Sequence, residues 1–223
     1  MNAIVKEERE TKVYFISGLG ADKRVFENLQ IENPLQYHIE WEIPIKNESL
    51  KNYCKRLIAQ IDTSCAIVLI GVSFGGIIAQ EIAKLISLKK IIILSSIKSE
   101  DELDWKLRVI GKLNLHKLFP ARLLLFLNTL TADYYFGIKS KEESFLLKKI
   151  IADTNLVFMV WAIDCCVKWK NNNEIVLLHI HGSQDKVFPV SSIKNYVAIE
   201  TTGHFMVFSK AKEVSNLINE YIR

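Results

Sequence analysis

The sequence contains Gly71-Val72-Ser73-Phe74-Gly75-Gly76, a stretch in which one serine stands between glycines. The run before it, residues 66–70, is continuously apolar and β-branched, which is typical of a strand buried on both faces of a sheet. After it, apolar residues recur at helical spacing, beginning with Ile78 and Ile82. The stretch is therefore predicted to be a sharp strand-to-helix turn with Ser73 at its tip.

The two glycines flanking Ser73 have a physical role at such a turn. A reversal within so few residues forces Ser73 into a strained backbone conformation, in which side chains at Gly71 and Gly75 would collide with their neighbours. The Ser73 hydroxyl is then expected at the carboxyl end of the sheet, beside a helix N-terminus that favours negative charge. A nucleophilic serine is the favoured interpretation, and the alternative is an ordinary tight turn with an exposed serine.

Composition and charge are those of an ordinary globular domain. The chain has 223 residues, of which 49% are hydrophobic and 24% charged, with a net charge of +4. Residues 1–223 are predicted to form one domain. No dense Lys/Arg block with interleaved aromatics is present, so nucleic acid is not expected as a partner. The basic excess of residues 101–150 is interpreted as a solvated helix face, or alternatively as a bias towards anionic substrates.

Neither a secretory signal nor a membrane span is expected. Residues 1–12 are polar and charged, and the longest apolar stretch, 66–79, is interrupted by glycines and too short to cross a bilayer. We therefore predict a cytoplasmic protein. No C-x-x-C metal spacing occurs, no cofactor or metal is predicted, and the cysteines are interpreted as reduced packing residues: Cys54, Cys65, Cys165 and Cys166.

Strand-like runs alternate with helix-period segments, which is typical of a parallel sheet wrapped by helices. The fold class predicted is α/β, a three-layer α/β/α sandwich with a mostly parallel sheet of about six strands. The strands are predicted at residues 13–17, 37–42, 66–72, 90–95, 175–181 and 196–200. Amphipathic helices are predicted around residues 50–61 and 207–221.

Residues 97–174 contain no strand-like run and are predicted to be an inserted helical cap. Its helices are expected at residues 101–113, 121–129, 141–152 and 156–169. Its large apolar residues are expected to pack on the core, and some of them to line a substrate pocket. They are Trp105, Phe119, Phe126, Phe145, Phe158, Met159, Trp161 and Trp169.

A nucleophilic serine needs a base, and the base needs an acid that holds its tautomer. The fifth strand runs into His181-Gly182-Ser183-Gln184-Asp185, and Gly203-His204-Phe205 follows the sixth. Because parallel strands end at one edge of the sheet, Asp185 and His204 are expected on the same side as Ser73. The triad Ser73, Asp185 and His204 is predicted, in the chain order typical of nucleophile-elbow hydrolases.

Other residues compete for these roles. His204 is expected to begin the last helix with its ring free to face Ser73, whereas His181 lies at a strand end where it would support a loop through a hydrogen bond. Asp101 or Asp104 is the alternative acid, and Asp185 could simply cap a turn. The remaining histidines are placed in an early strand, in the helical insertion and inside a strand: His38, His116 and His179.

The oxyanion of an acyl-transfer intermediate needs preorganised donors. The backbone N–H of Phe74, directly after the nucleophile, is one candidate. The other is Leu19 in the loop Ser17-Gly18-Leu19-Gly20, where glycines allow close backbone approach. A phosphate cradle is disfavoured because neither a P-loop nor G-x-G-x-x-G is present.

Together these motifs resemble those of the α/β-hydrolase superfamily, in its small single-domain form with a helical cap. The resemblance extends from Val13 to the C-terminus and implies an eight-stranded parent sheet that lacks its first two strands here. It also implies a cap inserted after the fourth predicted strand. Ser17 stands where many members have a histidine, and the backbone donor of that loop is retained.

The function predicted is hydrolysis of a small carboxylic ester or thioester through an acyl-enzyme on Ser73, with a small-molecule acyl substrate as the partner. Acyl transfer, C–C bond hydrolysis and cyanohydrin cleavage are related chemistries that the resemblance also implies. The serine disfavours dehalogenase and epoxide chemistry, which use a carboxylate nucleophile. A ligand-binding protein without turnover is the alternative from another class.

Overall fold

A computed structural model describes residues 10–223, in which six strands form one parallel sheet. Most of the polar stretch 1–12, which predicts the absence of a signal peptide, lies outside the described residues. The strand order is β2-β1-β3-β4-β5-β6, and all five neighbouring pairs are parallel. The strands are β1 Thr11–Ile16, β2 Gln36–Ile39, β3 Ala66–Val72, β4 Lys90–Leu94, β5 Leu178–Gly182 and β6 Val197–Ile199.

All six predicted strands are present, and β2, β4, β5 and β6 are shorter than expected. β2 ends at Ile39 because the next amide, that of Glu40, donates to the side chain of Gln60. β5 begins at Leu178, the first residue that pairs with β4 through Ile92. The three-layer prediction with a parallel sheet of six strands is therefore confirmed.

Helices pack on both faces of the sheet because its central strands are apolar on both sides. On one face, Leu69 and Ile93 pack with Ile78 in a buried cluster. On the other, Val68 and Ile92 belong to a second cluster. The helices are α1 Leu50–Leu57, α2 Phe74–Ala83, α3 Trp105–Lys112, α4 Ala121–Phe136, α5 Lys141–Ala152, α6 Leu156–Lys168, α7 Met206–Ser209 and α8 Ala211–Ile222.

Four of these helices, α3 to α6, lie between β4 and β5, where the sequence predicts the helical insertion. α5 begins with a capping box of Ser140 and Glu143. α4 continues seven residues past the predicted end at residue 129. Its Thr129 and Thr131 hydroxyls bond carbonyls one turn back, and the helix stops only at Gly137, whose φ is +70°.

Three expectations about the helices are wrong. The helix predicted to begin at residue 101 begins at Trp105, because residues Glu100–Glu102 form a separate 3-10 turn and Asp104 caps α3. The predicted C-terminal helix is divided at Lys210 into α7 and α8, because Lys210 leaves helical geometry with φ −126° and ψ 32°. Several large apolar residues of the insertion are exposed rather than packed, because α3, α4 and α5 turn only part of their surface to the protein and Phe119 lies in the turn before α4. The exposed ones are Trp105, Phe119, Phe126 and Phe145.

Among residues 10–223, no single helix combines the length and the apolar composition needed to cross a membrane. Only α5 and α6 together pass that test, and the two are bent by 101° relative to each other.

Candidate active site

Ser73 occupies a strained turn between β3 and α2. Its φ is 53° and its ψ is −119°, a combination that residues with a side chain rarely adopt. Backbone bonds on both sides hold it there: its N–H donates to Leu94 O at 2.9 Å, and its carbonyl accepts from Gly76 N–H at 2.9 Å. The Ser96 hydroxyl also donates to that carbonyl at 2.7 Å. The turn therefore presents the Ser73 hydroxyl in one fixed position.

The glycines around Ser73 permit contacts that any side chain would block. A Cβ on Gly71 would lie 2.3 Å from the carbonyl oxygen of Gly75. A Cβ on Gly75 would lie 2.2 Å from that of Ile16 in β1. These are the collisions that the sequence predicts, and they involve backbone atoms that cannot move aside independently.

The structure brings together the three residues that the sequence singles out as a triad. Ser73 Oγ lies 2.9 Å from His204 Nε2, and His204 Nδ1 lies 2.7 Å from Asp185 Oδ2. A carboxylate only accepts hydrogen bonds, so Nδ1 carries a proton and donates to Asp185. In the neutral ring, Nε2 is then free to accept the hydroxyl proton of Ser73.

Asp185 is buried and held by both of its oxygens. Its Oδ1 accepts from the backbone N–H groups of Val187 at 2.8 Å and Phe188 at 2.9 Å. Burial on its own raises the pKa of Asp185, but the charge of His204 and hydrogen bonds from His181 and His204 outweigh it and hold the pKa well below its usual value. The group is therefore a carboxylate at neutral pH.

The His204 ring is confined between aromatic side chains. Phe136, the last residue of α4, meets it edge-on at 5.1 Å between ring centroids, and Phe188 does so at 5.6 Å. His204 itself lies in the turn before α7, which begins at Met206, so the expectation that it starts the last helix is wrong. The turn follows Gly203, whose Cβ would collide with the carbonyl of Phe136 at 2.7 Å.

A second histidine contacts the same acid. Phe188 O and Asp185 Oδ2 can only accept, so His181 Nε2 carries a proton; it donates to Phe188 O at 2.9 Å and lies 3.3 Å from Asp185 Oδ2. His181 Nδ1 lies 3.1 Å from His179 Nε2. Sequence reasoning identifies the loop hydrogen bond of His181 but not its contact with Asp185, because only the path of the loop places them together.

The competing residues have other hydrogen-bond or stacking partners. Asp104 caps α3 by accepting from Lys106 N–H, and Asp101 is exposed beside Arg108. His116 contacts Asp164 at 2.9 Å in the helical segment, and His38 stacks on Phe15. Neither of the alternative acids is a hydrogen-bond partner of His204 among residues 10–223.

The loop after β1 lies directly against Ser73. A Cβ on Gly18 would be 3.4 Å from that of Ser73. The Gly18 carbonyl accepts from Trp41 Nε1 at 3.2 Å and from Ala21 N–H at 3.0 Å, while the Ser17 hydroxyl donates to Ala21 O at 2.7 Å. Trp41 is a residue that sequence reasoning missed, since nothing in its local pattern indicates a role in fixing this loop.

A cavity of about 660 Å³ extends from Ser73 into the helical segment. Leu19, Phe74 and His204 line it together with Ser73. The rest of the wall is largely apolar, with contributions from Leu107, Ile110, Leu124, Ile151, Met159 and Val207. Among the large apolar residues of the insertion that are candidates for a pocket wall, Met159 lines this cavity. Phe158 instead packs on Trp41, and Trp161 on Phe74.

Among residues 10–223, no group of three or more His, Cys, Asp or Glu side chains is arranged to hold a metal ion.

Comparison with known proteins places the fold. No protein-family model and no curated protein matches the chain. Among solved structures, MenH from S. aureus has a TM-score of 0.72 at 17% identity, covering 97% of this chain and 95% of that one. A lipase-esterase related protein from Clostridium acetobutylicum ATCC 824 has a TM-score of 0.65 at 18% identity, covering 96% and 95%.

A third similar structure is MGS-M2, an alpha/beta hydrolase enzyme from a Medee basin deep-sea metagenome library. Its TM-score is 0.66 at 14% identity, and the alignment covers 99% of this chain and 92% of that one. Likeness at this identity concerns the course of the backbone. The chain has the α/β-hydrolase fold.

Proposed function

We propose that the protein is a serine hydrolase that cleaves a small carboxylic ester or thioester. The observation that carries this proposal is the unbroken hydrogen-bond series from Ser73 Oγ through His204 to Asp185, at the wall of an apolar cavity. A strained turn that presents a serine to a buried histidine–carboxylate pair is the arrangement that nucleophilic acyl transfer requires.

In the first half-reaction, Ser73 Oγ attacks the carbonyl carbon of the substrate while His204 Nε2 takes the hydroxyl proton. Asp185 keeps the ring in the required tautomer and stabilises the imidazolium that forms. Collapse of the tetrahedral intermediate breaks the bond to the alcohol or thiol, which leaves with the proton from His204. Water then attacks the acyl-enzyme with the same proton transfers and releases the acid.

The developing oxyanion would be held by the backbone N–H groups of Phe74 and Leu19. Phe74 is the first residue of α2, so its N–H has no partner within the helix and lies at the positive end of the helix dipole. The Leu19 loop lies against Ser73 and is held by Trp41. Two fixed donors cost no reorganisation when charge develops.

Residues 97–174 would act as the cap of this site, because α3 and α4 line the cavity through Leu107 and Leu124. A largely apolar wall favours an acyl or alcohol group with substantial hydrocarbon. The C. acetobutylicum protein of similar fold is lipase-esterase related, which fits this substrate class. The four free cysteines fit a reducing compartment, so we keep a cytoplasmic location as part of the proposal.

The test is labelling with a fluorophosphonate probe together with turnover of p-nitrophenyl esters from acetate to laurate. The wild type should label and turn over esters, and Ser73→Ala should do neither. Ser191→Ala, which removes an exposed serine, is the matched control and should behave like the wild type. A folded wild type that neither labels nor hydrolyses any ester would favour the ligand-binding alternative and overturn the proposal.

A further inference from the structure

Helix α4 is apolar around most of its circumference and is nevertheless poorly covered. A helix of this composition is normally buried on all sides, either in a protein core or in lipid. Within α4, which the structure describes completely, only Ala132 is buried. Phe126 is 62% exposed and Leu130 is 69% exposed. Something other than the described part of this chain is therefore expected to cover α4.

The exposed apolar residues form regular stripes on two helices. On α4 they occur at positions 123, 126, 127 and 130. On α3 and its C-cap residue they occur at positions 105, 109 and 113, and these spacings place each set on one side of its helix. Other sides of the same helices line the cavity through Ile110 and Leu124. The outer apolar face comprises these stripes and the turn between them: Trp105, Val109, Leu113, Leu118, Phe119, Leu123, Phe126, Leu127 and Leu130.

Within the segment that carries the outer apolar face, the Lys and Arg residues are not balanced by acidic ones. The sequence from 105 to 132 contains five basic residues and neither Asp nor Glu. Arg108 and Lys117 have acidic partners outside this stretch. Among residues 10–223, none of the other three forms an ion pair, and these are Lys106, Lys112 and Arg122.

This charge pattern selects the occupant. A second copy of the chain related by a two-fold axis would bring this basic face against itself, so that like charges would meet, which is unfavourable. A surface of large apolar side chains with Lys and Arg among them is suited to an anionic lipid headgroup layer, where the apolar groups enter the interface and the basic groups meet phosphate. The helices that carry the face also border an apolar cavity.

We propose that the outer apolar face binds the surface of an anionic phospholipid bilayer, with α3 and α4 against the membrane and the cavity opening beside it. The binding is independent of the proposed hydrolase chemistry. If both hold, an apolar ester dissolved in the bilayer reaches Ser73 through the cavity without crossing water.

The test is flotation of the full-length protein with phosphatidylcholine vesicles, with and without phosphatidylglycerol. Binding is expected only to vesicles that contain phosphatidylglycerol and should weaken with added salt. Leu118→Asp and Phe126→Asp, both at exposed positions, should lower the partition coefficient by at least about tenfold. Val176→Asp, at a position 90% exposed and outside this face, is the matched control and should bind like the wild type.

Two double variants distinguish the effect of basic residues at the outer apolar face from the effect of the protein's net charge. Lys112→Gln/Arg122→Gln should weaken binding by about fivefold per residue. Lys55→Gln/Lys212→Gln makes the same change of net charge at exposed sites on α1 and α8 and should leave binding unchanged. Ser73→Ala should bind vesicles like the wild type, so loss of hydrolase activity and loss of membrane binding are distinguishable.

Two results would overturn the proposal. One is equal binding, or equal absence of binding, to vesicles with and without phosphatidylglycerol. The other is a concentration-dependent dimer in light scattering that Phe126→Asp converts to monomer while vesicle binding is absent, which would assign the face to a second copy of the chain.

Discussion

His181 Nε2 lies 3.3 Å from Asp185 Oδ2, the same oxygen to which His204 Nδ1 donates at 2.7 Å. His181 therefore helps to hold the Asp185 carboxylate in the position and charge state that His204 requires. We expect it to act as a positioning residue for the proposed reaction, since it does not line the cavity.

Replacing His181 tests this role. His181→Leu should lower kcat by about 10- to 100-fold with little change in KM, because it removes a hydrogen bond to a buried charged group. His181→Gln retains a donor and should recover part of the loss. Steady-state kinetics of all three proteins, with circular dichroism as the folding control, provide the measurement. An unchanged kcat in folded His181→Leu would contradict the positioning role.

The variant Asp185→Asn tests whether Asp185, rather than Asp101 or Asp104, is the acid that orients His204. The amide can keep the acceptor for Val187 and Phe188 N–H, but then turns an NH₂ group towards His204 Nδ1 and favours the wrong tautomer. We expect kcat to fall by about 10⁴-fold with the fold retained.

The matched control for Asp185→Asn is Asp104→Asn, since Asp104 lines the cavity near Ser73 but only caps α3. It should leave kcat within about threefold of wild type. Full activity of Asp185→Asn with loss in Asp104→Asn would move the acid role to the helical segment.

Local patterns in the sequence account for the sheet and for the turn at Ser73. β3 is a continuous apolar run and has the predicted bounds, and the collisions that Gly71 and Gly75 avoid arise from the geometry of the turn itself. The topological rule that parallel strands end at one edge then leads to the expectation that Asp185 and His204 lie near Ser73.

Contacts between distant loops could not be predicted in this way. The bond from Trp41 Nε1 to Gly18 O joins residues 23 positions apart, and it depends on how the segment after β2 folds back over the β1 loop. The exposure of Phe126 has a similar origin. Periodicity identifies an apolar helix, but it does not specify which neighbours cover that helix.

Gly75→Ala tests the steric argument at the turn. The added Cβ would lie 2.2 Å from Ile16 O, so either β1 or the turn must move, and we expect Tm to fall by about 10 °C or more. Gly18→Ala is the control, since its Cβ would meet Ser73 Cβ at an ordinary 3.4 Å. Differential scanning calorimetry gives the Tm of both variants. Equal Tm values would refute the explanation that Gly75 is needed because its backbone lies close to Ile16 O.

His179 predicts how the stability of the fold depends on pH. Burial lowers the pKa of His179 to about 3, with smaller contributions from the neighbouring His181 and from Lys98. Between about pH 6.5 and pH 3 the unfolded chain therefore binds a proton at this position that the folded chain does not bind. Above about pH 6.5 the titration of His179 does not reduce the free energy of unfolding. Below that pH the free energy of unfolding falls by up to about 1.4 kcal/mol per pH unit, because the unfolded chain takes up the proton.

His179→Gln removes this titration while an amide N–H can still donate to His181 Nδ1. The variant should lose less stability than the wild type on acidification from about pH 7 to about pH 5, even if it is less stable at pH 7 because of imperfect packing. Urea unfolding at several pH values gives both curves. Curves that run parallel over this range would show that His179 is protonated equally in the folded and unfolded states, contrary to the effect expected from its burial.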